Sequence, residues 1–232
     1  KGWSPSTQQP INIMQPQATD LKRVDFIEDK VRREFAAMTV SLDDGVGKVM
    51  DALKENGLDE DTLVIFLTDH GGDPVYGGSN LPYRGDKATL FEGGIRVPCI
   101  MRWPGKIKAG SVNESVCSSL DLFPTFCELA GVPYAEKGID GVDIRGAILG
   151  NASPELNRSI YWELGAHAEL KRKPWRAVRL EDWKYLESPI DGEFLFNLAD
   201  DPHEKRNLKE VYPERFAAMR NLRDELSRAY RN

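Results

Sequence analysis

The chain has 232 residues, of which 41% are hydrophobic and 29% charged, with a formal net charge of −6 at pH 7. That is enough apolar material for one large or two small domains, and the sign is wrong for a nucleic-acid partner, whose phosphates demand a basic face. No apolar run approaches the length of a membrane span and no signal-peptide pattern opens the sequence.

Residues 1–24 are rich in Pro and Gln with few apolar positions, and read as a loop or poorly ordered lead-in. A long helix follows, because Ile27, Val31, Phe35, Met38, Leu42, Val46, Val49 and Leu53 recur at steps of three and four. Asp25 and Glu28 stand where a cap and its third-residue carboxylate would, and Asn56-Gly57 ends the run. The stretch 62–68 (TLVIFLT) is continuously apolar and bounded by acidic residues and glycines. It predicts a strand buried on both faces, as in a parallel sheet covered by helices. Ligands of open α/β sheets sit beyond the carboxyl ends of such strands, and that place is taken by Asp69-His70-Gly71-Gly72.

A carboxylate and an imidazole there can hold a divalent cation, and Lys87 downstream can face an anion bound to it. Taken locally, the same residues also suit a turn in which Asp69 caps the next segment, and Lys87 suits a solvated surface. Glu92 and Arg96 read as a structural pair beside the tight Gly93-Gly94 turn. The pairs Gly71-Gly72 and Gly77-Gly78 lack the context of a dinucleotide or P-loop motif and suit close passage of the backbone at the site. A second strand near 97–102 and a helix near 120–130, stopped by Gly131-Val132-Pro133, complete this part. Cys99, Cys117 and Cys127 fit neither a disulfide framework nor a zinc site by spacing. Buried free thiols are the expectation, with a Cys117–Cys127 bridge as the alternative.

The Gly/Asn/Ser/Pro stretch at 150–154 marks a boundary, and the hydrophobic period then changes. Short strands are predicted over 159–164, 175–180, 183–187 and 193–197, with turns at Glu181-Asp182 and Asp191-Gly192. A final helix starts at Pro213 and carries Phe216, Met219, Leu222 and Leu226 on one face. His167 lies in a charged loop between two of the strands and is a candidate for substrate contact, while His203 suits a turn.

An ordered series of motifs carries a family resemblance. It includes Ala36-Ala37-Met38, Leu42-Asp43-Asp44-Gly45-Val46-Gly47, the strand and Asp69-His70-Gly71-Gly72, then Arg84-Gly85-Asp86-Lys87-Ala88-Thr89-Leu90-Phe91-Glu92-Gly93-Gly94-Ile95-Arg96-Val97-Pro98. Trp103-Pro104-Gly105, Leu120-Asp121-Leu122-Phe123-Pro124-Thr125, Asp182-Trp183-Lys184-Tyr185 and Leu195-Phe196-Asn197-Leu198-Ala199-Asp200-Asp201-Pro202 extend it. The chain resembles the C-terminal part of a type I sulfatase, the arylsulfatase-like sulfuric ester hydrolases of the alkaline-phosphatase-like superfamily.

The resemblance implies an α/β fold: part of an alkaline-phosphatase-like sheet with flanking helices over 25–150, and a small antiparallel sheet packed by a terminal helix over 151–232. It implies that Asp69 and His70 are metal ligands, with calcium ahead of magnesium or zinc, and that catalytic Lys87 contacts the sulfate. Many relatives have Asn where this chain has His70. An imidazole is more at home on zinc than on calcium. The family's nucleophile is a formylglycine made from Cys or Ser in a Cys/Ser-x-Pro/Ala-x-Arg signature, and neither Cys99, Cys117 or Cys127 nor any serine is expected to begin one. Asp43-Asp44 lies inside the predicted helix and does not stand in for the family's first metal pair, and no histidine precedes His70. The resemblance therefore implies a fragment whose partner is the missing N-terminal part, inactive alone. The substrate would be a sulfated small molecule or glycan and the compartment periplasmic, secreted or lysosomal. A two-zinc phosphodiesterase or phosphatase of the same superfamily, and a non-catalytic sulfatase-like binding module, are the competing readings.

Overall fold

The computed structural model describes residues 2–3, 10–11, 14–150, 158–165 and 174–230. In chain order the elements are β1 (Gly2–Trp3), β2 (Pro10–Ile11), α1 (Ala18–Arg23), α2 (Lys30–Glu55), β3 (Val64–Leu67), α3 (Glu92–Ile95), β4 (Cys99–Arg102), α4 (Leu122–Ala130) and α5 (Arg145–Ile148). They continue with β5 (Ser159–Leu164), β6 (Trp175–Leu180), β7 (Trp183–Ser188), β8 (Gly192–Asn197) and α6 (Pro213–Ala229). The strands pair as β1–β2, as β3–β4 and as an antiparallel sheet in the order β5-β6-β7-β8. Two compact units share the chain: Lys1–Asp51 with Thr68–Pro98 and Ser159–Asn232, and Ala52–Leu67 with Cys99–Arg158.

In the first unit, α1 is helical where the sequence suggests loop. Its Asp20 carboxylate is buried and accepts from Ser41 Oγ of α2 at 2.9 Å, while Arg23 Nη2 donates to Asp44 Oδ1 at 3.1 Å. Pairing with α2 fixes these six residues, which are too few to show a period of their own. Helix α2 begins at Lys30, later than its apolar pattern, because Asp29 rather than Asp25 is the cap: its Oδ1 accepts from Arg32 N at 2.7 Å. Along α2, Val31, Met38, Leu42 and Val49 are between 39% and 58% exposed, so its apolar stripe is largely uncovered among the described residues.

The C-terminal sheet is where the core sits. Strict alternation sends Ala177, Leu186, Phe194 and Phe196 to one face and Val178, Tyr185 and Leu195 to the other. The second face is covered by α6 through Met219 with Phe216, Leu222 and Leu226, as the helical spacing predicts. The first face is covered by Leu90 and Phe91, which immediately precede α3. The ring of Phe91 meets Trp175 and Phe194 edge-on, each at 5.6 Å between centroids. The segment that carries Lys87 is thus anchored to the sheet three residues later.

In the second unit, β3 pairs antiparallel with β4, Val64 opposite Arg102 and Leu67 opposite Cys99. This differs from the expected strand of a parallel sheet buried on both faces. Val64, Ile65 and Phe66 are half-buried and Leu67 is exposed, since an apolar run fixes neither the direction of a partner nor what lies on its faces. Ile144, Ala147 and Ile148 form the local core with Met101, Ile107 and Val142. Asp121 is fully buried, accepting from Ser118 N at 2.7 Å and Val142 N at 3.0 Å and pairing with Arg158. The three cysteines are free, and Cys99 and Cys117 are exposed rather than buried.

Candidate metal and anion site

Asp69 and His70 follow β3 and open a loop that folds back on itself. His70 Nδ1 lies 2.9 Å from the carbonyl of Gly71, and a carbonyl can only accept, so Nδ1 carries the hydrogen in that contact. In the neutral ring, Nε2 then presents a lone pair to Asp69 Oδ2, only 3.1 Å away. Two acceptors so close are complementary when a cation lies between them, either a second proton or a metal ion. Donation of the other ring hydrogen to a backbone carbonyl is also the usual arrangement of a metal-bound histidine. Both side chains are open to solvent, Asp69 at 83% and His70 at 40% exposure.

A calcium ion takes six to eight oxygen ligands at about 2.3–2.6 Å, so one carboxylate and one imidazole fit it only as part of a larger ligand set. Among the described residues no group of three or more His, Cys, Asp or Glu side chains converges to complete one.

Glycine is required where the loop turns. A Cβ on buried Gly71 would lie 1.8 Å from the Gly93 carbonyl oxygen, and one on Gly94 would lie 2.2 Å from that of Thr89. The close approach lets Gly71 N donate to Gly94 O at 2.9 Å and Gly93 N to Arg84 O at 2.6 Å. Lys87 is exposed, and its backbone N–H donates to Gly72 O at 3.2 Å. The loops of Asp69-His70 and of Lys87 are therefore joined through backbone. His167 lies outside the described residues.

Several residues that build this region escape the sequence reading. Glu92 does not pair with Arg96; its Oε1 receives Lys184 Nζ of β7 at 2.8 Å, while Arg96 stacks over the Tyr83 ring at 4.8 Å. Glu204 completes the cluster, with Oε1 2.9 Å from Lys184 Nζ and Oε2 accepting from Glu92 N at 2.6 Å. Lys184 and both carboxylates are buried, and burial pushes Glu204 above the ordinary carboxylate range against the opposing pull of Lys184. Arg84 lies over the Phe91 ring at 4.0 Å and donates to Glu204 O at 3.2 Å. His203, assigned no role from sequence, packs edge-on against Tyr83. Asn80 closes the loop onto Gly72 through its carboxamide. The only sequence signal for the cluster is that a lysine on a strand and two isolated glutamates must find partners if buried.

The letters Ser-x-Ala-x-Arg do occur once, from Ser227 to Arg231, near the end of α6. Ser227 Oγ donates to Glu163 Oε2 of β5 at 3.3 Å, which makes it a helix-to-sheet packing residue, not a nucleophile.

Comparison with known proteins bears on the family and the fold. The family profile "Sulfatase" matches residues 4–132, and "N-sulphoglucosamine sulphohydrolase, C-terminal" matches residues 84–232. Steryl-sulfatase of Mus musculus is 31% identical over 225 residues, covering 82% of this chain and 36% of its own length. Among solved structures, Ps i-CgsB in complex with k-i-k-neocarrahexaose aligns at 32% identity and TM-score 0.85, over 94% of this chain and 48% of its own. Phosphonate monoester hydrolase of Agrobacterium radiobacter aligns at 27% identity and TM-score 0.65, over 86% of this chain and 41% of its own. The chain thus spans between about a third and a half of the relatives it matches. It has the alkaline-phosphatase-like fold of these enzymes and belongs to the sulfatase family.

Proposed function

We propose that this chain is the C-terminal part of a sulfatase that hydrolyses sulfate esters, with the formylglycine nucleophile and the general acid supplied by sequence outside these 232 residues. The observation that carries the reading is the Gly72 junction, where backbone hydrogen bonding holds the loop of Lys87 against the loop of Asp69 and His70. The share of each relative that is covered, 36% and 48%, and the uncovered apolar stripe of α2 support a larger parent protein. The oligosaccharide bound to Ps i-CgsB supports a sulfated glycan among the substrates.

Within this assignment Asp69 and His70 are two ligands of a divalent cation, calcium by family resemblance. Held there, such an ion would supply Lewis-acid polarisation to the sulfate. Asp69 supplies a hard anionic oxygen, and His70 Nε2 supplies a lone pair whose direction is set by the contact of Nδ1 with Gly71 O. Lys87 supplies a compact positive charge to the sulfate while its S–O bond breaks. Gly71 lets the backbone of Gly93 approach where a Cβ would block it.

A second reading is favoured by two observations: the fold similarity to a phosphonate monoester hydrolase and an imidazole at position 70, better matched to zinc. Turnover of an aryl sulfate, an aryl phosphate and an aryl phosphonate by the complete protein separates the two. At least a tenfold preference in kcat/KM for sulfate is expected, a difference of about 1.4 kcal/mol in transition-state binding. Preference for phosphate or phosphonate, with zinc bound, would replace the sulfatase assignment.

A further inference from the structure

The backbone N–H and C=O of Gly72 have no strand partner among the described residues, and polar backbone groups in a half-buried loop need partners. Asn80 provides them. Its Oδ1 accepts from Gly72 N at 2.7 Å and its Nδ2 donates to Gly72 O at 2.8 Å, so the carboxamide pairs with Gly72 as a neighbouring strand would. The same Nδ2 donates to Gly85 O at 3.2 Å. Gly72 lies two residues after His70 and Gly85 two residues before Lys87, so one side chain bonds both loops of the site.

The intervening chain is shaped for this. Asp73 Oδ1 accepts from Val75 N at 2.9 Å, and Asp73 O accepts from Tyr76 N and from Gly78 N, each at 3.0 Å. This compact turn returns the chain so that Asn80 faces the residue it left eight positions earlier. The Gly72 carbonyl is then held from two sides, by Asn80 Nδ2 and by the backbone N–H of Lys87. Losing the carboxamide would free Gly72 to rotate its peptide plane, and with it the acceptor that fixes Lys87 N.

Resting on the sulfatase reading, we infer that Asn80 is the positioning residue that sets Lys87 against the Asp69–His70 pair. It touches neither substrate nor metal in this role; it acts through Gly72 and Gly85. Aspartate is a poor substitute, since it keeps the acceptor toward Gly72 N but turns a second acceptor on the carbonyls of Gly72 and Gly85. Serine is too short to reach both loops.

The test is a double-mutant cycle on the complete protein, reading the affinity for inorganic sulfate by titration calorimetry in the presence of calcium. Asn80→Ala and Lys87→Ala are each expected to weaken sulfate binding, Asn80→Ala by about 10- to 100-fold, the range for residues that orient a site from behind. The double variant is expected to match Lys87→Ala alone, because a residue that acts by placing Lys87 has nothing left to place. If Asn80→Ala does not fold, the same cycle is run with Asn80→Asp, whose added charge acts in either background while its positioning defect disappears without Lys87. Parental sulfate affinity in the Asn80 variant, or a loss undiminished in the Lys87→Ala background, overturns the inference and leaves the sulfatase reading standing. Unchanged sulfate affinity in Lys87→Ala itself overturns the anion site, and the inference with it.

Discussion

Replacing Lys184 by methionine removes one positive charge from a site closed to bulk solvent. Side-chain exposure is 0% for Lys184, 5% for Glu92 and 0% for Glu204, and the ammonium lies 2.8 and 2.9 Å from the two carboxylates. Methionine fills most of the volume, so the loss is electrostatic: two buried carboxylates face each other without a cation. Leaving buried charge unpaired in this way costs about 3–5 kcal/mol. The pH dependence follows from Glu204, whose pKa burial already raises from its ordinary value of 4.5 and which Lys184 and the Glu92 N–H pull back down. A carboxyl whose folded pKa lies above its unfolded one contributes stability that is fully present below the unfolded value and is lost as pH rises through the folded value. Removing Lys184 raises the folded value further, so the deficit of Lys184→Met should grow with pH. Below pH 4.5 it should shrink to about 1 kcal/mol, the scale of a lost hydrogen bond, and reach about 3–5 kcal/mol at pH 8. Urea unfolding of the complete protein and the variant across that range, followed by tryptophan fluorescence, measures it. A deficit below 1 kcal/mol at pH 8, or one independent of pH, would refute the claim that Lys184 compensates the two buried carboxylates.

Phe91→Ala should destabilise by about 3–5 kcal/mol, because the ring is 4% exposed and seals the sheet face through Phe194 and Phe196; thermal melting checks it. Asp69→Ala should abolish metal-dependent activity, whereas His70→Asn should be milder because it keeps a ligand atom, as seen in turnover after chelation and calcium readdition. The 232-residue chain by itself should show no aryl sulfate hydrolysis above a metal and buffer blank, and calorimetry should show calcium affinity weaker than micromolar, since two ligands are too few.

The legible parts of the sequence are those governed by short-range pattern. Period-two alternation located β5 to β8 to within a residue, and 3.6-residue spacing located α6 and its buried face, because each pattern maps directly onto a pleat or a helical stripe. The backbone contact between the Asp69-His70 loop and the Lys87 segment is visible in the structure, whereas the roles of these residues come from strand-end logic and family motifs and stand as a proposal. Illegible were contacts whose partners are far apart in sequence. Glu92 meets Lys184 92 residues away and Glu204 112 residues away, and nothing local distinguishes these from solvated charges. α1 was missed for the same reason, since Asp20 is held by Ser41 from the next helix. Asn80 was missed because its role is to satisfy backbone, which any polar residue could do until the turn geometry is known.

Sulfatase chemistry at this site requires Lys87 to meet the anion, so steady-state kinetics of Lys87→Ala in the complete protein is the decisive measurement. A fall in kcat of about 10²–10³ with an aryl sulfate is expected, with folding intact, by analogy with loss of one stabilising donor in an oxyanion site. Lys87→Arg should recover only part of it, because a planar guanidinium cannot place its charge at the same point. Near-parental kinetics for Lys87→Ala would contradict the assignment of the anion site.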